Sequence, residues 1–147
     1  MTDTPLLQVR DLQKAFPVRG GLFNRPIATA NVIDGVSFDV PRGQTLGLVG
    51  ESGSGKTTIG KCVIRLIEPT SGQILFDGLD LMKLSGRELR ERRTDMQMIY
   101  QAPGASLNSR MTVGQIVGEA LWLHERLNGW AARDRVMKLL EVVGLKP

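Results

Sequence analysis

The stretch GESGSGKT, which begins at Gly50, contains the residues best suited to chemistry in this sequence. It fits the pattern G-x-x-x-x-G-K-[ST] through Gly50, Gly55, Lys56 and Thr57, which is the phosphate-binding P-loop. Glycines let the backbone wrap so that consecutive amide N–H groups point inward, where side chains would collide with the phosphates. The stretch therefore predicts a nucleotide phosphate site.

The charged and hydroxyl residues of this loop have separate tasks. The Lys56 ammonium reaches the β and γ phosphates as a point charge, and the Thr57 hydroxyl is a ligand for Mg²⁺. A helix that begins here adds favourable partial positive charge at its N-terminus. The residues predicted to hold the nucleotide phosphates are Gly50, Glu51, Ser52, Gly53, Ser54, Gly55, Lys56, Thr57 and Thr58.

A P-loop needs a strand before it and a helix after it. QTLGLVG, residues 44–50, is short, apolar and bounded by glycine, which is typical of a strand buried on both faces of a sheet. After the loop, Ile59, Cys62 and Val63 lie on one helical stripe. Cys62 is the only cysteine, so an internal disulfide is excluded and a buried thiol is expected.

The rest of the chain alternates between strand and helix patterns. Two strands are predicted in front of the P-loop, joined by a loop or open hairpin over residues 17–31, whose glycine, proline and asparagine residues favour turns. Five strands are predicted, at residues 6–16, 32–40, 44–50 and 96–101 and at a position within 68–81. Four helices are predicted, one that follows Lys56 and three others at residues 85–93, 112–127 and 129–145.

Composition places the chain among globular proteins. It has 147 residues, 41% hydrophobic and 23% charged, as expected for one domain or part of a larger one. The net charge is +4, but the positive residues are spread along the chain and alternate with carboxylates. The densest cluster of positive residues, RELRERR, is interpreted as a solvated helix face. We therefore expect no nucleic-acid partner. No apolar run approaches the roughly 20 residues that cross a bilayer, so membrane work would need another chain.

Two classes of P-loop enzyme are disfavoured by the residues. Nucleotide kinases usually begin at or near their P-loop strand, whereas 49 residues precede Gly50 here. A GTPase should carry an N-K-x-D stretch to read guanine, and no asparagine of this chain is followed by lysine. A small P-loop kinase or GTPase stays as a remote alternative.

The sequences on either side of the loop resemble the ATP-binding subunits of ABC transporters. The resemblance runs through VIDGVSFDVPRGQTLGLVGESGSGKTT, EPTSGQILFDGLDL and MQMIYQAPGASLNSRMTVGQIVGEAL. It implies an α/β fold, a P-loop NTPase nucleotide-binding domain of the ABC type that is truncated here. Such a domain would comprise an antiparallel β subdomain, a P-loop core and the start of a helical subdomain, with ATP and Mg²⁺ as cofactors.

The resemblance also assigns roles outside the loop. Phe16 matches the aromatic residue that stacks on adenine. Gln101 matches the glutamine that contacts Mg²⁺ and the attacking water and begins the segment that touches the membrane subunits. The resemblance therefore implies that Lys56 and Gln101 are catalytic residues and that Thr57 and Gln101 are metal ligands.

Within this family GESGSGKTT, SLNSRMTV and GLDLMKLSGRELRERR look most like importers of dipeptides and oligopeptides. Importers of nickel or another small solute share much of the pattern and stay as the alternative. The resemblance implies that transmembrane permease subunits and a second ATP-binding subunit are direct partners and that a solute-binding protein interacts indirectly. It also implies that the chain lies at the cytoplasmic face of the inner membrane.

Several parts of a complete ABC ATPase site do not occur in these 147 residues. No apolar strand ending in Asp-Glu follows Gln101, no L-S-G-G-Q signature occurs, and His124 lies too early to be the switch histidine, so we expect it to be structural or solvent-facing. LSGR, beginning at Leu84, is interpreted as a helix N-cap. Residues 1–147 are thus read as the N-terminal part of one nucleotide-binding domain, inactive alone, or as a non-catalytic assembly module.

Overall fold

The computed structural model describes residues 4–20, 25–101, 104 and 107–145. The chain divides into two compact units, Met1–Gln97 and Met98–Pro147. The first contains the sheet and the P-loop, and the described part of the second contains two long helices. No helix in the described part of the chain combines the length and the apolar character needed to cross a membrane.

An antiparallel sheet of four strands forms the first unit. β1 (Leu7–Gly20) and β2 (Arg25–Val40) make a long hairpin. β3 (Ser71–Phe76) pairs with the other edge of β1, and β4 (Leu79–Asp80) pairs with β3, which gives the order β2-β1-β3-β4. The strands predicted at 6–16, at 32–40 and within 68–81 are confirmed.

The segment predicted as a loop or open hairpin is a paired hairpin. The register places Phe16 opposite Ala30 and Val18 opposite Ala28, so both strands extend well into residues 17–31. Residues 21–24 of this segment lie outside the described residues. The pairing shows that backbone hydrogen bonds along two adjacent strands outweigh the turn preferences of the glycine and proline residues.

One glycine is required where β3 meets β1. Gly72 has φ +107°, and a Cβ there would lie 2.7 Å from the carbonyl oxygen of Asp11 and 2.8 Å from that of Arg10. The register of β1 against β3 shifts between Arg10 and Gln13, so the strands approach closely at an irregularity that only a residue without a side chain accommodates.

The core of the first unit joins the sheet to the helix that follows the P-loop. That helix, α1, spans Lys56–Val63. Cys62 is fully buried, as predicted, and burial raises the pKa of its thiol. The buried cluster consists of Val9, Leu12, Ile33, Ile59, Cys62, Ile74 and Leu81. Burial of these side chains holds α1, and with it the P-loop, against the hairpin.

Two arginines tie the end of α1 to the segment after β4. The Arg93 guanidinium donates to the carbonyl oxygens of Ile64, at 3.2 Å, and Arg65. Arg65 in turn donates to the carbonyl oxygens of Leu81 and, at 3.2 Å, Leu84. The Arg93 donors satisfy carbonyl groups that the end of α1 leaves without intrahelical partners.

A short helix, α2 (Gly86–Arg92), begins at the predicted N-cap. The Ser85 hydroxyl accepts from the amide of Glu88, and the Glu88 carboxylate accepts from the amide of Ser85, which is a capping box. Arg87 and Glu91 pair at 3.3 Å with most of both side chains exposed. The predictions of a helix N-cap and of a solvated helix face are confirmed.

Two predicted strands are absent, and these predictions were wrong. Residues 44–50 and 96–101 have no strand pairing in the described structure. Leu48 is 42% exposed, Val49 98% and Ile99 88%. An apolar strand of a parallel sheet is ordered by neighbouring strands on both sides and by helices on both faces. The described residues supply an antiparallel sheet, and neither segment pairs with any of its strands.

Among the described residues, the second unit contains the helices α3 (Val113–Glu125) and α4 (Gly129–Val142), which confirms both helix predictions. Thr112 and Gln115 form a capping box at the start of α3. The helices pack against each other, with Leu121 and Val136 buried. His124 is exposed on the last turn of α3, as predicted.

Asp80, at the end of β4, begins a single 3₁₀ turn, Leu81–Lys83. Its carboxylate accepts from the amide of Met82 and from Gln73 Nε2, both at 3.0 Å, and Lys83 Nζ lies 3.6 Å away. Burial acts to raise the pKa of Asp80, but the hydrogen bonds and the Lys83 charge outweigh it, so the pKa lies below its usual value.

We predict that the Asp80 charge stabilises the fold only above acidic pH. A carboxyl whose pKa is depressed by folding contributes its full stability above its unfolded pKa of about 3.9, and loses it as the pH falls through the folded value. Asp80→Asn keeps the shape and removes the charge. Urea unfolding should therefore show a less stable variant at pH 7 and a smaller difference near pH 3. A difference that does not shrink on acidification would contradict this account.

Candidate functional site

The P-loop forms a tight turn that opens onto α1. The Ser54 amide donates to the Glu51 carbonyl oxygen at 3.2 Å, which closes the turn. Gly53 and Gly55 have φ of +84° and +91°, in the left-handed region that favours glycine. The loop therefore has the backbone reversals that the glycine pattern predicts.

Gly55 is the most constrained residue of the loop. It is the N-cap of α1, it is buried, and a Cβ there would lie 2.8 Å from the Val32 carbonyl oxygen. A side chain would therefore collide with the backbone of β2 as well as disfavour the positive φ. At the other end of the loop, a Cβ on Gly50 would lie 2.8 Å from the Ser54 hydroxyl. The sheet thus packs directly against the start of α1.

Backbone donors at the start of α1 point out of the helix. The first intrahelical bond runs from the Ile59 amide to the Gly55 carbonyl at 2.8 Å, and no side chain caps this helix end. The amides of Lys56, Thr57 and Thr58 therefore have no intrahelical acceptor, since the first amides of any helix lack one. Such a group of donors, combined with the helix dipole, favours an anion.

The Lys56 ammonium lies against the loop itself. Its Nζ donates to the carbonyl oxygens of Gly50, at 2.7 Å, and Glu51, at 2.6 Å, and contacts the Ser54 hydroxyl at 3.2 Å. The side chain thus folds back from the first helical residue across the loop rather than extending into solvent. The loop therefore concentrates a positive charge beside its free amides.

The start of α1 suits a phosphate group that is bound to Mg²⁺. The first turn of α1 contains no acidic residue, so no carboxylate there opposes the helix dipole. Thr57 is exposed at the second helical position. The described residues contain no group of three or more His, Cys, Asp and Glu side chains that would hold a metal. A Mg²⁺ here would take most of its ligands from phosphate and water, as this ion usually does.

Phe16 lies in the sheet that supports the loop. It is half-buried on β1, outside the described core cluster, and pairs with Ala30 of β2. Ala30 is two residues from Val32, whose carbonyl abuts Gly55. Two strand residues span about 7 Å, so the backbone of Phe16 is in the neighbourhood of the phosphate loop, as a residue that stacks on the base of a bound nucleotide should be.

Lys14, which was not predicted as a site residue, lies beside Phe16. Its ammonium is 4.7 Å from the centre of the Phe16 ring, which is a cation–π contact. It also donates to the Glu68 carbonyl oxygen at 2.8 Å. The signal available in the sequence was the i, i+2 spacing, because such residues share one face of a strand.

Gln101 belongs to the second unit, and the P-loop residues all belong to the first. It is exposed and lies in a bend. Phe16, the loop residues and Thr57 all lie in the first unit. Gln101 remains a candidate that rests on the resemblance.

Residues 33–147 match the protein family described as ABC transporter. The chain belongs to this family. The ABC match covers the P-loop, α1, α2 and both helices of the second unit. The nucleotide-binding subunit type predicted from the quoted motifs is thereby confirmed at the level of the family.

Relatives of this ABC chain are named for peptide transport. A putative peptide import ATP-binding protein of Brucella ovis is 52% identical over 147 residues, which is 100% of this chain and 44% of the relative. The oligopeptide transport ATP-binding protein AppF of Bacillus subtilis is 46% identical over 97% of this chain and 44% of its own length. The chain thus spans less than half the length of these relatives.

Solved structures share the fold. A dimeric, post-hydrolysis structure of the ATP-binding cassette MJ0796, bound to ADP and Pi, aligns with a TM-score of 0.76 at 22% identity and covers 95% of this chain and 58% of its own. The cbiO1 structure from Clostridium perfringens, part of the ABC transporter complex cbiONQ, gives 0.69 at 23% identity, with 96% and 51% covered. The predicted fold class, an ABC-type P-loop domain, is confirmed.

Proposed function

We propose that this chain binds Mg-ATP through residues 50–58, as part of the ATP-binding subunit of an ABC importer. The observation that supports this most directly is the arrangement of Lys56. Its ammonium lies across the loop, against two backbone carbonyls, beside the free amides of Lys56, Thr57 and Thr58. A triphosphate bound in the loop can therefore accept hydrogen bonds from the Lys56 ammonium and from the backbone amides.

The residues of this site act by binding and orientation. The loop amides and Lys56 hold the phosphate oxygens, and the Thr57 hydroxyl contributes one ligand to Mg²⁺, which supplies charge neutralisation when bound. When phosphate oxygens replace the two carbonyl oxygens, the Lys56 ammonium exchanges neutral acceptors for ionised ones, so both partners of each hydrogen bond are charged. Glu51, Ser52, Gly53 and Ser54 define the path of the loop.

Hydrolysis needs more groups than the described residues bring together. Gln101 is our candidate for contact with Mg²⁺ and the attacking water. The sequence supplies no Asp-Glu pair after Gln101, and its one histidine, His124, lies too early to be the switch histidine. We therefore propose that the 147-residue chain binds ATP without turning it over. Residues 1–147 would then form the N-terminal part of one nucleotide-binding domain whose complete form couples hydrolysis to transport.

The substrate proposal follows the quoted motifs and the names of relatives. Peptide import and oligopeptide transport are named for proteins 52% and 46% identical to this chain, and a relative from Salmonella paratyphi A, 48% identical, is named for glutathione import. We propose a peptide substrate, with nickel or another small solute as the alternative. Permease subunits and a second ATP-binding subunit would be the partners, a solute-binding protein would act indirectly, and the assembly would lie at the cytoplasmic face of the inner membrane.

Phe16→Ala tests whether the nucleotide base lies on β1. Base stacking contributes about 1–3 kcal/mol and uses a π-face that every base has. The variant should therefore bind Mg-ATP and Mg-GTP about fivefold or more weakly, by similar factors, in calorimetric titrations. Magnesium tripolyphosphate, which has no base, should bind the variant and the wild type alike. Lost affinity for ATP with full affinity for GTP would contradict stacking, and equal loss for tripolyphosphate would indicate a damaged loop.

A further inference from the structure

The side chain of Lys14 lies against the ring that we assign to the base. Its ammonium is 4.7 Å from the centre of the Phe16 ring. The register of β1 against β2 shifts between Lys14, opposite Ile33, and Ala15, opposite Asn31. Irregularities of this kind re-aim side chains, and here a long cationic side chain covers one face of a half-buried aromatic ring.

Lys14 is also attached to the segment that follows the P-loop helix. Its Nζ donates to the Glu68 carbonyl oxygen at 2.8 Å. Nearby, the amide of Ala15 donates to the Thr70 hydroxyl at 3.0 Å, and the Thr70 amide donates to the Gln13 carbonyl at 2.9 Å. The strand that carries Phe16 is thus joined by three hydrogen bonds to the chain that leaves α1.

We propose that Lys14 is a positioning residue for nucleotide binding, which holds one face of the Phe16 ring and leaves the opposite face for the base. This inference rests on the proposed function. A cation attracts the π electrons of the ring toward its own face. The opposite face becomes less negative and repels the π face of a base less. The contact also restricts the ring before the ligand arrives, which reduces the entropy lost on binding.

The proposal predicts a coupling between two side chains that is specific to ligands with a base. Lys14→Gln should weaken Mg-ATP binding about twofold to fivefold, the range of a partly solvated cation–π contact. In a Phe16→Ala background the same change should have almost no further effect, because the ring through which Lys14 acts is gone. Lys14→Arg keeps a cation and a donor, so it should bind Mg-ATP within twofold of the wild type.

The experiment is a double-mutant cycle by calorimetric titration with Mg-ATP and with magnesium tripolyphosphate. Lys138→Gln, an exposed lysine on α4, is the control for the loss of one positive charge. Tripolyphosphate should bind the wild type and Lys14→Gln alike, which also shows that the loop is folded in the variant.

Three results would overturn the proposal. Equal effects of Lys14→Gln with and without Phe16 would mean that Lys14 does not act through the ring. Weaker tripolyphosphate binding would mean that Lys14 attracts phosphate or supports the loop. Wild-type affinity for ATP in Lys14→Gln would mean that the contact has no role. Failure of the wild-type chain to bind ATP would instead refute the proposed function, and this inference with it.

Discussion

Replacement of Lys56 by alanine should weaken Mg-ATP binding tenfold or more. The ammonium makes charge-assisted contacts to phosphate, which contribute about 1.5–3 kcal/mol, and a loss of about 1.4 kcal/mol is already a factor of ten in affinity. The present contacts of Nζ, to the Gly50 and Glu51 carbonyl oxygens, place the charge at the loop before any ligand arrives. Calorimetric titration of the wild type and the variant measures the difference.

Lys61→Ala is the matched control for this prediction. Lys61 lies in the last turn of the same helix, so its replacement removes the same charge away from the loop. Its affinity for Mg-ATP should stay within about twofold of the wild type, since Lys61 lies at the opposite end of α1 from the loop amides and the interaction of separated charges is weakened by salt. Unchanged affinity in Lys56→Ala, or an equal loss in both variants, would show that the ammonium does not hold the phosphates.

The purified 147-residue chain should release no phosphate from Mg-ATP above the rate of the buffer. P-loop ATPases combine the loop and its lysine with a metal-supporting acid and a residue that orients the water, and loss of a positioned acid or base alone reduces the rate by about 10²–10⁴. The sequence provides Lys56, Thr57 and Gln101, while His124 is exposed on α3.

A phosphate-release assay with Lys56→Ala beside the wild type distinguishes absence of activity from contamination. Phosphate release that persists in Lys56→Ala comes from another enzyme in the preparation and leaves the prediction standing. Release that is clear in the wild type and abolished in the variant would contradict the account, because it would mean that these residues already form a complete site.

Local sequence signals predicted most of the fold. The P-loop helix and the capping box at Ser85 follow from glycine, serine and glutamate spacings within a few residues. The two helices of the second unit follow from a 3.6-residue apolar period. Each of these features depends on residues that are close together in the sequence, so it can be predicted from a short stretch of the chain.

Features that depend on distant partners could not be predicted in the same way. Residues 44–50 have a strand pattern, yet Val49 is 98% exposed, because a buried strand also needs neighbouring strands. The contact of Val32 with Gly55 and that of Lys14 with the Phe16 ring depend on the register and irregularities of a hairpin. No local period specifies where a β-bulge falls.

Backbone amide chemical shifts of Gly53 to Thr58 report whether the loop amides hold the phosphates. In a titration of ¹⁵N-labelled chain with Mg-ATP, these amides should shift most. Magnesium tripolyphosphate should move the same set, because the helix-start donors of Lys56, Thr57 and Thr58 recognise phosphate. Binding of Mg-ATP that leaves these amides unshifted, with the changes confined to other parts of the chain, would contradict the account.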